Sequence, residues 1–224
     1  MRNATRLVLL ASALVWLTSA AGCVTKGKFE DAEAQRDRAL SQRDDLTVQL
    51  GEVTAANTAL RDELEATEME VSSLRGTYDN LVMELQTEVE AGQVEVQQLL
   101  DGIRLNVSDE LLFASGSARI NEGGRKLLER VAAQIADEDA IISVEGHTDN
   151  VAISRSLKDR YPTNWELAAA RACSVVRLLS ENGVEPIRLR AVSRGPFVPI
   201  MSNDTREGRK KNRRTELILR PLPS

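Results

Sequence analysis

The chain has 224 residues, of which 42% are hydrophobic and 28% charged, a globular composition with length for one or two domains. Two cysteines and one histidine are too few for a four-ligand Cys/His zinc site or a disulfide-dense scaffold, so neither a metal nor another cofactor is predicted. The net charge of −5 is uneven, because residues 107–224 carry 19 Lys and Arg against 16 Asp and Glu, which leaves the front acidic. Two units with different roles are therefore predicted.

The first 22 residues have the pattern of a secretory signal peptide of the lipoprotein type. Two arginines precede a largely apolar run, 7–17, that is too short to span a bilayer, which requires roughly 20 residues. Residues 20–23 resemble a bacterial lipobox, with Ala where that pattern usually has Leu. The resemblance implies lipidation of Cys23, and Val24 after it implies the outer membrane. Ordinary cleavage to a soluble protein and an uncleaved inner-membrane anchor remain the alternatives.

Residues 23–27 are expected to be the lipidated terminus and a linker, and residues 28–101 a helical coiled-coil arm. Ten of twelve positions in a 4,3 spacing are apolar, and we name them the heptad stripe: Leu46, Leu50, Val53, Leu60, Leu64, Val71, Leu74, Tyr78, Leu81 and Leu85. The exceptions are Asn57 and Thr67, and an Asn at an a position favours a parallel dimer. The stripe therefore predicts a homodimer. The alternative is a polar helix packed on its own chain.

From residue 102 the periodicity changes to that of an α+β sandwich, in which one sheet carries helices on one face. The order β-α-β-α-β-β is predicted from strands and helices at 103–107, 122–136, 141–144, 163–180, 187–192 and 215–219. Thr163 and Glu166 form a capping box that opens the second helix. The domain is expected to span residues 102–224.

Three motifs of this domain carry a family resemblance. They lie at 145–150 (EGHTDN), 164–172 (NWELAAARA) and 203–214 (NDTREGRKKNRR). They resemble the OmpA-like C-terminal domain, the peptidoglycan-binding module of outer-membrane proteins, Pal-type lipoproteins and the flagellar stator subunit MotB. The long segment 150–163 is most similar to the stator branch. The resemblance implies the same fold over about residues 105–220.

The resemblance implies that Asp149 and Arg171 hold the diaminopimelate of the wall peptide. A zwitterionic ligand end offers an ammonium that Asp149 can accept from and a carboxylate that Arg171 can grip with two parallel N–H bonds. The other residues expected to bind peptidoglycan are Thr148, Asn164, Leu167 and Arg214. The alternative is that Asp149 and Arg171 pair with each other. The family's Phe-Asp is Phe113-Ala114 here, which removes one possible polar contact.

The remaining conspicuous residues are predicted to be structural. His147 is expected to be a packed, hydrogen-bonded imidazole, and Cys173 is expected to be buried. Trp165 is expected to cover the sheet or the cleft. The basic run 206–214 is expected to be a loop that leads into the last strand, with Arg213 or Arg214 near the ligand. Nucleic acid is not expected as a partner of an exported protein.

The sequence predicts a non-catalytic lipoprotein that tethers the outer membrane to the wall. It shows no nucleophile, metal set or tuned pair of carboxylates for a wall hydrolase. The short apolar run carries no Asp or Glu, which argues against a stator ion channel. The alternatives are an envelope scaffold acting through the coiled coil and a stator-like wall anchor.

Overall fold

The computed structural model describes residues 25–222. The chain divides into two compact units, residues 1–65 and residues 66–224. The predicted signal peptide and Cys23 lie outside the described residues.

The described part of the first unit belongs to one long helix, α1 (Lys26–Glu84), of 59 residues. Within this unit the heptad stripe is solvent-exposed, and Leu50, for example, is 67% exposed. An isolated helix gains little from propensity alone, so a row of exposed leucines is unfavourable unless another surface covers it.

The last turns of α1 lie in the second unit and are part of its core. Leu81 and Leu85 are fully buried, and Leu74 and Tyr78 pack against the same cluster. The Thr77 hydroxyl donates to Glu138 at 2.5 Å. The sequence predicts an arm that reaches residue 101, whereas the arm ends earlier. The last residues of the heptad stripe pack into the core of the second unit of the same chain.

The described part of the second unit continues with five strands and five further helices. In chain order they are α2 (Gln86–Glu90), β1 (Val94–Leu99), β2 (Gly102–Ser108), α3 (Asp109–Leu112), α4 (Glu122–Ile135), β3 (Ala140–His147), α5 (Asn164–Glu181), β4 (Leu189–Gly195), α6 (Arg206–Asn212) and β5 (Arg214–Pro221). Short 3₁₀ turns lie at Arg155–Leu157 and Pro186–Arg188. Helices α3 and α6 are not among the predicted elements, and β1 lies where the sequence predicts the helical arm.

The strands form one sheet in the order β1-β2-β5-β3-β4. The β3 and β4 strands are parallel, and the other neighbours are antiparallel. Alternate residues such as Ile142, Val144 and Leu217 are buried in one cluster with the apolar faces of α4 and α5. This confirms the predicted α+β sandwich with helices on one face of the sheet.

Helix α5 begins at the predicted capping box. The Thr163 hydroxyl accepts from the Trp165 amide at 3.1 Å, and Glu166 accepts from the Thr163 amide at 2.7 Å. Gly146 lets α5 lie directly on β3, because a Cβ there would stand 2.3 Å from the Ala168 carbonyl oxygen. The end of β3 and the first turns of α5 are thereby held against each other, where the motif residues meet.

Replacing Leu81 with alanine is expected to destabilise the second unit by about 2–5 kcal/mol, because it leaves a cavity in the core. The matched control is Met83→Ala, which removes a 70% exposed side chain from the same helical turn and should cost less than about 1 kcal/mol. Chemical denaturation of the full chain measures both. Equal losses for the two variants would show that α1 is not part of this core.

Candidate functional site: a charged cleft beside β3 and α5

A cleft of about 690 Å³ opens beside the end of β3, within the range of small-molecule sites. Its lining residues are Asp109, Glu110, Phe113, Ala114, Ser115, Gly116, Thr148, Asp149, Val151, Ala152, Ile153, Ser154, Leu157, Asn164, Leu167, Arg171, Arg209 and Arg213. They come from residues 109–117 (helix α3 and the residues that follow it, together called the loop after β2), the segment after β3, helix α5, and helix α6 with the residue that follows it. The cleft therefore joins all three sequence motifs with the long segment 150–163.

Five of the six residues predicted to bind the ligand line this cleft: Thr148, Asp149, Asn164, Leu167 and Arg171. The side chain of Asn164 donates to the Val151 carbonyl at 2.9 Å, which fixes the segment after β3. The Thr148 hydroxyl is buried and has no hydrogen-bond partner among the described residues. A buried hydroxyl without a partner is costly, so this atom is suited to a ligand group.

Arg171 is buried and held on two sides by the loop after β2. Its Nη1 donates to the Asp109 carboxylate, and its Nε donates to the Ser117 carbonyl at 3.0 Å. The guanidinium carbon also lies 5.1 Å from the centre of the Phe113 ring, at cation–π distance. Its Nη2 has no partner among the described residues and can donate to a ligand.

Asp109 is the site residue that the sequence did not reveal. Burial raises the pKa of its carboxyl, while Arg171 and the Thr215 hydroxyl, 3.1 Å away, oppose that rise. The position of Asp109 directly after a strand and at the start of a helix was the available signal. The loop that departs from the family's Phe-Asp therefore positions Arg171.

Asp149 pairs with Arg213. The Arg213 Nη1 donates to Asp149 at 2.8 Å, and its Nη2 donates to Glu110 at 3.0 Å. Desolvation works against the Arg213 charge, but these two carboxylates outweigh it and raise its pKa. Asp149 also accepts from the Val151 amide at 3.0 Å. The alternative that Asp149 and Arg171 simply pair with each other is therefore wrong.

Arg214, the sixth residue expected to bind the ligand, does not line the cleft. Its side chain is buried away from the cleft, where its Nη2 lies 2.6 Å from a Glu216 carboxylate oxygen. Successive residues of a strand point to opposite faces, so the neighbouring Arg213 takes the position in the cleft. The basic run 206–214 is a helix followed by a strand, because Thr205 accepts from the Gly208 amide as an N-cap.

The cleft contains three acidic side chains, Asp109, Glu110 and Asp149, opposite three arginines. Glu110 is also bonded to Lys210 at 2.9 Å, and this contact lowers its carboxyl pKa. The lining carries both signs of charge in equal number. Such an arrangement suits a ligand with both an ammonium and a carboxylate better than a plain anion or cation.

A second charged cluster lies on the opposite face of the sheet. Among the described residues, Glu145, His147 and Glu216 form the one group whose side-chain atoms are close enough to hold a metal ion. Arg194 binds Glu145 through two nitrogens at 2.6 and 2.9 Å. Arg214 binds Glu216, and Arg104 lies 3.3 Å from it.

This cluster does not suit a cation. Two carboxylates face three guanidinium groups, and the imidazole is neutral because burial, chiefly, and Arg214 lower the pKa of His147 to about 4. His147 is packed as expected, since it is 2% exposed, but neither of its ring nitrogens has a hydrogen-bond partner among the described residues, so the expected hydrogen bond is not found there. Cys173, by contrast, is exposed on α5 rather than buried.

Comparison with known proteins places this geometry in a family. A model of the OmpA family matches residues 112–213. The outer-membrane lipoprotein YfiB of Pseudomonas aeruginosa is 32% identical over 141 residues, covering 60% of this chain and 80% of YfiB. Motility protein B of Bacillus subtilis is 32% identical over 131 residues, covering 58% and 49%. The peptidoglycan-binding protein ArfA of Mycobacterium bovis is 34% identical over 110 residues, covering 49% and 32%.

Solved structures agree. A MotB-like protein from Desulfovibrio vulgaris superposes with a TM-score of 0.62 and 29% identity, covering 69% of this chain and 98% of that one. The cell wall anchor of the type VI secretion system (T6SS) from Pseudomonas aeruginosa gives a TM-score of 0.58 and 32% identity, covering 63% and 97%. The chain belongs to the OmpA family, and the predicted resemblance is confirmed.

This chain matches only part of the length of the first curated relatives. The matched regions cover between 49% and 60% of the length of the first curated relatives. In the described part of the chain, no helix combines the length and the apolar content needed to cross a membrane.

Stability is expected to fall as the pH is lowered from about 6.5 to 4. His147 stays neutral in the folded state down to about pH 4, whereas the unfolded chain takes up its proton near 6.5, so acid favours unfolding. The groups facing His147 are Glu145, Glu216, Arg194 and Arg214. His147→Gln should remove this component and gain about 2 kcal/mol relative to the wild type between pH 7.5 and 4.5. Urea unfolding at several pH values measures it, and parallel pH curves would contradict it.

Proposed function

We propose that this chain binds the stem peptide of peptidoglycan through the cleft, without turnover. The observation that carries the proposal is that Asp149 and Arg171 lie in one cleft but form ion pairs with different partners. Asp149 pairs with Arg213, and Arg171 pairs with Asp109. Asp149 retains lone pairs for a ligand ammonium, and Arg171 retains its Nη2 for a ligand carboxylate. Diaminopimelate has both groups at one end. The relatives named as a peptidoglycan-binding protein and a cell wall anchor support the same class of ligand.

Binding without turnover is favoured by the chemistry of the lining. The described residues that line the cleft include no histidine or cysteine. The carboxylates Asp109 and Asp149 each bind an arginine, so neither is placed as a free general base. The cleft can hold a ligand and orient it, and it lacks the groups that a wall hydrolase would use.

Asp149→Ala and Arg171→Ala are each expected to weaken binding of a diaminopimelate-containing peptide about ten- to a hundredfold, the value of one or two charge-assisted contacts. Isothermal titration calorimetry with the soluble peptide is the measurement. The matched control is Arg190→Ala, an exposed arginine outside the cleft lining, which should bind like the wild type.

Folding must be checked separately, because Arg171 also holds a buried carboxylate. Arg171→Lys keeps the charge but loses the forked contacts, and it should weaken binding while keeping more of the wild-type melting temperature. Folded variants at both positions that bind the peptide as tightly as the wild type would overturn the proposed function.

The second part of the proposal is that α1 pairs with α1 of another copy. The uncovered part of the heptad stripe runs from Leu46 to Val71, and its residues are more than half exposed. Asn57, at an a position, favours a parallel pair over other arrangements. Each copy would then add one cleft, and two clefts on a polymer of repeating sites increase the effective affinity.

Leu64→Asp places a charge in the centre of the proposed seam and should convert a dimer into a monomer in sedimentation equilibrium of the full chain. The control is Glu65→Asp, which keeps the charge of the neighbouring side chain and should leave the oligomeric state unchanged. A wild type that sediments as a monomer at high micromolar concentration would contradict the proposed pairing.

The third part of the proposal is a lipid on Cys23 that anchors the chain in the outer membrane, so that the cleft tethers that membrane to the wall. The support is the signal-like sequence and the lipoprotein relative YfiB. Palmitate labelling of cells should mark the wild type and disappear in Cys23→Ala. An unlabelled wild type in the soluble periplasmic fraction would contradict the lipid anchor. The chain would then bind the wall without a lipid.

A further inference from the structure

A pair of aromatic rings is exposed next to the cleft. Trp165 and Phe197 stack with ring centres 5.3 Å apart and an interplanar angle of 29°. They are 45% and 67% exposed, whereas Phe113 and Tyr161, the aromatic residues beside the cleft and the long segment, are buried. Large exposed apolar groups that lie together are uncommon on a soluble surface and mark contact sites.

Trp165 packs against β4 in this exposed position. Its backbone carbonyl accepts from the Ser193 hydroxyl at 2.9 Å. Its ring packs on Gly195, where a Cβ would come within 3.3 Å of the ring and where φ is +52°. Only glycine combines that backbone conformation with room for the ring. The stack is therefore preformed and needs little ordering to bind a ligand.

The stack is continuous with the cleft. Asn164, which lines the cleft, directly precedes Trp165 in the first turn of α5. The Thr148 amide of the cleft donates to the carbonyl of Gly195, on which the indole packs, at 2.9 Å. If the charged end of a ligand occupies the cleft, a short connecting segment of that ligand can therefore reach this aromatic surface.

We infer that Trp165 and Phe197 form a subsite for a sugar ring of the glycan strand that carries the stem peptide. This inference rests on the proposed function. The glycan is joined to diaminopimelate through two peptide residues, which span roughly 7 Å when extended. A pyranose ring has an apolar C–H face that can lie on an aromatic ring.

The test compares two probes on the full chain. One is a tripeptide ending in diaminopimelate, and the other is the same peptide carrying its N-acetylglucosaminyl–N-acetylmuramyl disaccharide. The wild type should bind the disaccharide peptide roughly three- to tenfold more tightly than the free peptide. Trp165→Ala should lose this preference and keep the affinity for the free peptide. Trp165→Phe should retain most of the preference.

The matched control is Ile187→Ala, which removes an 82% exposed apolar side chain before β4 and should keep the preference. The chain has one other tryptophan, Trp16, which lies in the predicted signal peptide and is replaced with Phe if that segment is retained. A second measurement then follows Trp165 alone. Its fluorescence should change with the disaccharide peptide and stay unchanged with the free peptide.

Three results would overturn the inference. In the first, the wild type binds both probes equally. In the second, Trp165→Ala keeps the preference for the disaccharide peptide. In the third, neither probe binds, which overturns the proposed function as well. Loss of free-peptide binding in Asp149→Ala together with an unchanged preference in Trp165→Ala would reject the sugar subsite alone.

Discussion

The cleft depends on the buried ion pair between Asp109 and Arg171. It joins the loop after β2 to helix α5, and the Thr215 hydroxyl extends it to β5. Burying two charges is costly, and removing one partner would leave the other uncompensated. The pair is therefore poor evidence for high stability, but it fixes where the guanidinium lies. In the proposed function, a ligand carboxylate would meet a donor that is already oriented.

A second ion pair prevents the two motif charges of the cleft from pairing with each other. Asp149 is bonded to Arg213, so it does not neutralise Arg171 across the cleft. If those two motif residues had paired directly, each would have used its best-placed atoms on the other. With separate partners, both retain groups for a ligand, and the lining as a whole stays close to electrically balanced.

Helix capping and helical spacing, which involve only neighbouring residues in the sequence, were sufficient to predict part of the site. The capping box fixed the start of α5, and helical spacing then put Asn164, Leu167 and Arg171 on one face, as the structure shows. The difference between Arg213 and Arg214 depends on the phase of a strand with period two, which a helix ending at Asn212 determines. Asp109 carries no motif, because its role arises only when α5 packs across the loop.

The heptad stripe shows a different limit of sequence reasoning. A helix face with a 4,3 repeat needs an apolar cover, but the repeat does not state whether the cover is another chain or the same one. Here both ends of the stripe have the same periodicity, yet Leu81 and Leu85 are buried in the second unit while Leu50 is exposed. The boundary of the domain therefore falls inside a helix, where composition changes too little to mark it.

The sheet separates the two charged clusters by the alternation of its strands. Gly146 faces α5 on the helix side of β3, while Glu145 and His147 lie on the opposite face with Arg194 and Arg214. The carboxylates of this second cluster form ion pairs with its own guanidinium groups, so they do not pair with the charged groups of the cleft. Thr148 and Asp149 follow the end of β3 and line the cleft. Within the motif 145–150, Glu145 and His147 thus belong to the structural network, Gly146 to the packing of α5, and Thr148 and Asp149 to the cleft.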